Sequence, residues 1–198
     1  MTDLKRRGLA ALLALTLAGC VAQPVEAPDP APPAPDAPPP TIGGAVMDPA
    51  APILDNLAKS ADHTTLVAAI RAAGLADRLS GTDPYTLFAP TNDAFARLPQ
   101  GTVAALMEPG NGRLLTQVLS YHLVSGTKTR SAIAADARSS GGTASYRTVE
   151  GSWIRVAADG QRLTVTDVHN NRSAVTVPDV RQSNGVFHVV DAVLLPVT

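Results

Sequence analysis

The sequence predicts an α+β fold in which helices come first along the chain and short strands follow. Up to Leu119, apolar residues recur three or four positions apart, which is the period of a helix buried on one face. From Tyr146 onward, apolar and polar residues alternate in short runs separated by turn residues, which is typical of strands. We therefore expect helices and sheet to occupy separate parts of one domain.

The composition limits the classes of function. The chain has 198 residues, enough for one domain with a sizeable core and extensions. Its formal charge is −1, which gives no general electrostatic affinity for nucleic acid, so we expect no such partner. Cys20 is the single cysteine, so no disulfide forms within the chain.

The first twenty residues look like a targeting segment. Three basic residues, Lys5 to Arg7, precede the apolar stretch Leu9 to Leu17, which is too short to span a membrane stably. Leu17-Ala18-Gly19-Cys20 then matches the bacterial lipobox, whose cysteine becomes a lipid-modified N-terminus. We expect residues 1–19 to be a lipoprotein signal peptide and Cys20 to anchor the protein to a membrane. The alternative is an ordinary secretory signal with a coincidental cysteine.

A proline-rich segment follows the cysteine. Nine of the seventeen residues from Pro24 to Pro40 are proline. This composition favours extended polyproline II and buries too little apolar surface to fold. We expect residues 20–50 to be a disordered tether carrying a domain of residues 51–198; a ligand for proline-binding domains is the alternative. Val21, by resemblance to the sorting rule of enteric Gram-negative lipoproteins, fits the outer membrane, on its periplasmic or surface side.

The stretch from Thr86 to Pro99 predicts a strand that runs directly into a helix. Leu87 and Ala89 alternate with Thr86 and Phe88, a period of two that suits a buried strand, and Pro90 has no N–H to donate to a neighbouring strand. Thr91 suits an N-cap, because its hydroxyl can accept a hydrogen bond from the first helical turn. Asn92 and Asp93 place polar and negative groups at the positive end of that helix, so we expect both to act as caps.

Other helices and strands are predicted from the same two periods. Pro52 suits a first helical turn, Gly74 a helix C-terminus, and Asp159-Gly160 a hairpin turn. Helical segments are expected at residues 53–57, 66–73, 75–79, 103–107, 114–119 and 131–137. Strands are expected at residues 121–124, 146–149, 153–158, 162–167, 173–177 and 186–190.

Three segments in order along the chain resemble the fasciclin (FAS1) family. They are Thr86–Pro99, Leu119–Gly126 and Asn184–Pro196. The resemblance covers about Ala51 to Pro196 and implies helices flanking a small β-sandwich-like wedge. No internal repeat appears in the sequence, so we expect one module that is a monomer.

The candidate chemical groups are few. Four histidines occur, none in a zinc-type pair, and we expect no metal and no cofactor. His122 and His188 lie in apolar, strand-like surroundings. They could form a metal or proton-transfer site, or be buried structural residues, and we favour the second reading. Asp191 follows a strand and is expected to fix a turn.

Tyr121-His122 has a second interpretation. In animal matrix proteins of the fasciclin family this region is implicated in integrin-dependent adhesion, which makes the pair a candidate interaction motif. The apolar neighbours Leu119, Leu123 and Val124 favour a structural role instead. No nucleophile elbow or phosphate-binding loop is present in the sequence, so we do not expect an enzyme.

Two functions remain open at this point. The first is a non-catalytic module held out from the membrane to contact a protein or polysaccharide at the cell surface, as in matrix interaction or adhesion. The second is a carrier of an apolar ligand, similar to the carotenoid-binding members of the family in algae. A carrier needs an apolar groove, and Leu106, Met107, Leu114 and Val118 are the candidates to line it.

The lipid anchor is testable directly. Cys20→Ser removes the only thiol that could be acylated. We expect this variant to leave the membrane fraction or to remain uncleaved, and we expect mass spectrometry of the wild-type N-terminus to show acyl groups. A wild-type N-terminus without acyl chains would contradict the assignment.

Overall fold

The computed structural model describes residues 38–197, and the α+β class is confirmed. Helices lie mainly in the first half of the described chain and strands in the second. The helices are α1 Ile53–Lys59, α2 Thr64–Ala72, α3 Ala76–Ser80, α4 Asn92–Ala96, α5 Thr102–Met107, α6 Gly112–Tyr121 and α7 Arg130–Ser139. The strands are β1 Thr41–Ile42, β2 Ala45–Val46, β3 Tyr85–Pro90, β4 Leu123–Ser125, β5 Thr143–Arg147, β6 Trp153–Asp159, β7 Arg162–Thr166, β8 Arg172–Gln182 and β9 Gly185–Val190.

Seven of the strands form one sheet with the order β4-β3-β9-β8-β7-β6-β5. Only β3 and β9 pair in parallel within it, from Tyr85 opposite Gly185 to Pro90 opposite Val190. Because these two strands run in the same direction, the chain needs a long crossover connection between them. Helices and the other strands form this connection. The two most distinctive sequence motifs are therefore direct neighbours.

The sheet bends at β8, the longest strand. Its first residues, Arg172 to Ala174, pair with β7, whereas Val175 to Gln182 pair with β9 across two register shifts. A bulge of this kind increases the local twist and turns a strand. The sheet curves far enough for its edge strands to approach each other, with a bridge between Val124 and Thr148. The two halves of this bent sheet form the β-sandwich-like wedge.

Two apolar cores lie on either side of the central strands. The first packs the helices α1 to α6 against one side, through residues such as Leu87 and Phe187. The second fills the wedge and includes Phe88, Ile133 and Val190. Neighbouring residues of β3 and β9 point into different cores, so both strands are buried on both faces. The apolar area that they bury stabilises the fold.

Several predicted boundaries are wrong. Strand β5 spans Thr143–Arg147 rather than residues 146–149, and β8 spans Arg172–Gln182 rather than residues 173–177.

The folded chain begins before Ala51, since β1 and β2 form a small hairpin and Met47 beyond it is 1% exposed. Tyr121 ends helix α6 rather than starting a strand, and the strand after it begins at Leu123. Residues 1–37, with Cys20 and most of the proline-rich segment, lie outside the described residues.

The turn into β9 holds the parallel pair in place. The Asn184 side chain accepts a hydrogen bond from the Ile53 backbone N–H (2.9 Å) and donates to the carbonyls of Leu79 (2.7 Å) and Gly81 (2.9 Å). Gly185, with φ of 134°, follows it directly, and a Cβ there would collide with the carbonyl oxygen of Tyr85. Only glycine fits this close approach of two strands.

Gly185→Ala should therefore destabilise the domain by more than about 2 kcal/mol, because the parallel ladder must open at its first pair. Chemical denaturation of the purified domain measures this. Gly160→Ala is the matched control: it also has positive φ, but no atom lies within 4 Å of its added Cβ. Equal losses in the two variants would show that backbone strain, not the contact with Tyr85, sets the cost.

Candidate functional site

His122 lies completely buried between helix α6 and the C-terminal segment. Its Nε2 accepts a hydrogen bond from the Leu194 backbone N–H (3.0 Å), so the proton must sit on Nδ1, which donates to the Val118 carbonyl (2.8 Å). Burial lowers the pKa of His122 to about 4. Both ring nitrogens hold backbone groups, which leaves neither for a metal or a substrate.

His188, in the middle of β9, uses the opposite tautomer. Its Nδ1 accepts from the Asp179 N–H at the β8 bulge (3.1 Å), and its Nε2–H donates to the Lys128 carbonyl (2.8 Å). The ring stacks on Phe88 with centroids 5.5 Å apart. Burial lowers the pKa of His188 as well. The side chain joins the bulge of β8 to the loop before α7.

His63 is the third buried histidine. Its Nδ1 lies 2.9 Å from the Ser60 hydroxyl, and its ring meets the edge of Phe187. Within residues 38–197, its Nε2 is the buried side-chain polar atom without a hydrogen-bond partner. Burial lowers the pKa of His63, with the charge of Asp62 acting against it. The ring faces the first core, so it is shielded from solvent.

The predicted caps divide into different roles. Thr91 accepts a hydrogen bond from the Ala94 N–H (3.2 Å), which is the N-cap of α4. Asn92 does not cap its own helix: its carbonyl oxygen accepts from the Thr65 N–H (3.0 Å), and its amide donates to the Ala61 carbonyl (2.8 Å). It therefore caps α2 from outside. Asp93 lies in the first turn of α4, where its negative charge interacts favourably with the positive end of the helix dipole.

Asp191 connects the end of β9 to two neighbours. Its carboxylate accepts from the Ala174 N–H of β8 (2.7 Å), and its carbonyl accepts from the Arg97 guanidinium (2.8 Å). Arg97 and the Asp191 carboxylate also form an ion pair of 3.5 Å at the surface. Exposed ion pairs of this kind contribute little to stability, so the hydrogen bonds that involve backbone groups do more to hold Asp191 in place.

Tyr121 and His122 are both 0% exposed. The Tyr121 hydroxyl donates to the Trp153 carbonyl (3.0 Å) and accepts from the Val168 N–H (3.1 Å), which ties α6 to the start of β6 and to the loop after β7. Burial raises the pKa of Tyr121 to about 12. In this conformation the pair cannot touch a partner directly, which corrects its interpretation as a surface interaction motif.

The candidate groove residues belong mostly to the core. Leu106 and Val118 are buried, Met107 packs partly buried against the same core, and Leu114 is exposed. Two clefts open on the surface instead, with volumes of about 490 and 540 Å³. Polar side chains dominate both linings. The first cleft is lined by Thr143, Arg155, Ala157, Thr164, Thr166, Asn170 and Arg172. The second is lined by Arg78, Gly112, Arg113, Thr116, Gln117, Ser120, Val149 and Glu150.

Residues 38–197 contain no group of three or more His, Cys, Asp or Glu side chains that could hold a metal ion. In the same part of the chain, no helix combines the length and the apolar character needed to cross a bilayer.

The comparisons with known proteins agree with this geometry. The Fasciclin domain family matches residues 61–196, which is most of the described chain. The chain belongs to the fasciclin family. Its fold is similar to a solved FAS1 domain pair from the insect cell adhesion molecule fasciclin I, with a TM-score of 0.66 and 21% identity over 73% of this chain and 51% of that one.

Relatives of different lengths share this fasciclin domain. Protein sll1483 of Synechocystis is 40% identical over 157 residues, which is 78% of this chain and 79% of that protein. Transforming growth factor-beta-induced protein ig-h3 of Sus scrofa is 35% identical over 132 residues, which is 67% of this chain but 17% of that protein. This chain therefore matches a small part of the larger animal relative.

Sequence reasoning missed several polar residues that organise this fasciclin domain. Asp167 is fully buried and accepts hydrogen bonds from the N–H groups of His169 (2.9 Å), Asn171 (2.9 Å) and Leu195 (3.2 Å). Asp179 has a positive φ and accepts from the Arg130 N–H at the start of α7 (2.6 Å). The available signal for Asp167 was an aspartate at the end of a predicted strand, with Asn170 and Asn171 shortly after it, since Asp and Asn favour turns.

The buried histidines predict how stability depends on pH. An unfolded histidine has its ordinary pKa of about 6.5, whereas burial lowers the pKa of folded His122 to about 4. As the pH falls, the unfolded state therefore binds the proton first. Stability is then fully present above about pH 6.5 and falls as the pH drops towards 4, by about 3 kcal/mol from His122 alone. Urea denaturation at a series of pH values measures this slope.

Two variants separate His122 from other titrating groups. His122→Ala should lose roughly 1–3 kcal/mol at pH 7, because the Leu194 N–H and the Val118 carbonyl lose their partner, and its pH slope should be shallower. Ile133→Val is the control: it removes one buried methylene from the second core and no titrating group, so it should lower stability by about 1 kcal/mol and keep the wild-type slope. A His122→Ala domain that melts like the wild type but loses binding would show that the histidine serves function rather than the fold.

Proposed function

We propose that this protein is a non-catalytic fasciclin module, anchored in the cell envelope, that contacts a protein or polysaccharide at the cell surface. The observation that carries this proposal is the use of the buried polar side chains. His122, His188, Tyr121 and Asp167 all use their hydrogen-bonding atoms on other groups of the fold, and each bonds at least one backbone group far away along the chain. A nucleophile with its base and orienting partner needs such groups to be free and facing one cavity.

The expected anchor and tether give the module its place. A lipidated Cys20 would hold the chain at a membrane, most simply the outer membrane, and the proline-rich segment would hold the domain at a distance from it. An extended polyproline chain spans about 3.1 Å per residue, so seventeen residues would reach several tens of ångströms. Such a spacer suits a monomeric domain that reaches outward to a partner.

Relatives support the contact role in a general way. The insect protein that supplied the similar domain pair is described as a cell adhesion molecule. The carrier alternative has less support, since both surface clefts have polar linings and three of the four candidate groove residues contribute to the first core. A bound pigment or lipid would need an apolar cavity of its own size.

Deleting residues 41–198 while keeping residues 1–40 tests the contact role. Attachment and aggregation of the native host should fall severalfold, because the expected anchor and tether remain but the domain is gone. A Cys20→Ser full-length chain, detached from the membrane, should give a similar loss. Unchanged attachment, together with a pigment or lipid that co-purifies with the intact protein, would contradict the proposal and favour the carrier.

A further inference from the structure

Resting on the contact role above, we propose that the cleft on the outer face of β5 to β8 binds an acidic polysaccharide through the carboxylates of its sugars. This cleft has a volume of about 490 Å³. Sites for small molecules and short oligomers are typically about 300–1,000 Å³, so a few sugar units would fit.

Two arginines give the cleft its charge. Arg155 of β6 and Arg172 of β8 both lie opposite Thr166 of the intervening strand, so their Cα atoms are about 10 Å apart, or two strand spacings. Neither forms an ion pair with a carboxylate among residues 38–197, and the cleft lining contains no acidic residue. Two guanidinium groups without an anion would pair with carboxylates, which they can bind through two parallel hydrogen bonds.

The fold holds one of these arginines in place. The Arg155 guanidinium donates to the Asn170 side-chain oxygen (2.6 Å), and Asn170 sits in the left-handed region with φ of 64°. The loop that carries Asn170 is fixed by Asp167, which lies buried and accepts from His169 and Asn171 on either side. Arg155 therefore loses less side-chain freedom when it binds a ligand, which favours affinity.

Uncharged groups around the arginines match the rest of a sugar. Thr143, Thr164 and Thr166 supply hydroxyls that can donate and accept, as sugar hydroxyls do. Trp153 lies two residues before Arg155 on the same side of β6, about 7 Å along the strand, and its side chain is 57% exposed. An exposed aromatic ring at the rim of a polar cleft offers an apolar face for a sugar ring to cover.

This combination favours a glycan over the other polyanions. A membrane surface attracts lysine and arginine clusters together with apolar side chains that insert among the lipids, whereas threonine hydroxyls line the same cleft as these two arginines. An acidic protein segment would use the arginines but has little need for three threonine hydroxyls in the same cleft, one from β5 and two from β7. The concave polar shape and the single aromatic side chain suit a short run of acidic sugars.

The probe is polygalacturonate, a polymer of acidic sugars, with dextran as the neutral comparison. Trp153 is the only tryptophan of the chain, so its fluorescence reports binding at this face without a label. We expect polygalacturonate to change this fluorescence and dextran not to. Affinity should fall as salt is raised, because both arginines are accessible to screening.

Variants assign the binding to this cleft. Arg155→Gln combined with Arg172→Gln should weaken polygalacturonate affinity about tenfold or more, since two charge-assisted contacts are lost. Arg71→Gln combined with Arg181→Gln removes the same charge at exposed positions elsewhere and should change affinity less than about twofold. Thr166→Glu keeps both arginines but places a carboxylate between them, and it should also abolish binding. Melting temperatures close to wild type would show that each variant is folded.

Three outcomes would overturn the inference. The first is an equal loss in both double variants, which would mean that overall charge drives binding. The second is binding to vesicles of phosphatidylglycerol and phosphatidylcholine, through the same arginines, without binding to polygalacturonate. The third is no binding of polygalacturonate to a wild-type domain that is required for host attachment, in which case the contact role stands and its acidic-glycan partner is wrong. A domain that binds polygalacturonate yet is dispensable for attachment would instead contradict the contact role alone.

Discussion

The parallel pairing of β3 with β9 is the contact on which the rest of this fold depends. Its two strands lie about a hundred residues apart along the chain, from Tyr85 opposite Gly185 to Pro90 opposite Val190. Closing a connection of that length costs entropy, which the ladder alone does not offset. Side chains at both ends supply further contacts: Asn184 holds α1 and α3 at the start, and Asp191 holds β8 at the finish. Helices on one side and the wedge on the other then bury both faces.

Buried polar groups specify this arrangement because each has partners in only one geometry. His122 and His188 adopt opposite tautomers, and each joins two backbone segments that packing alone would leave free to slide. An unmade hydrogen bond in the interior costs more than a made one contributes, so misregistered alternatives are penalised. The same property makes these histidines poor catalysts at neutral pH, since both nitrogens are occupied and burial opposes protonation. The hydrogen bonds of both histidines thus agree with the structural reading that the sequence favoured.

Sequence patterns predicted the parts of the structure that depend on local periodicity. The α+β class, the strand before Pro90 and the N-cap position of Thr91 follow from spacing and from what proline and threonine can donate or accept. Interactions between distant segments were not predictable in this way. Nothing near Asn92 indicates that its amide reaches Ala61 and Thr65 across the fold, and nothing in the apolar run around Tyr121 shows where α6 ends. Those details depend on three-dimensional packing, which can override local preference.

The outer face of β5 to β8, which carries the proposed binding cleft, shows the same limit of prediction from local sequence patterns. Alternation in β6 correctly indicates that Trp153 and Arg155 lie on one side and Ile154 and Val156 on the other, but it cannot tell which exposed residues on other strands lie beside them. The antiparallel register brings Arg155 and Arg172 to either side of Thr166, although Arg172 follows a separate turn. Since the inward residues of these strands fill the second core, the outward ones are free to change without loss of packing. In a scaffold organised this way, the proposed binding face can vary on the sheet surface while the buried histidines hold the backbone segments of the fold together.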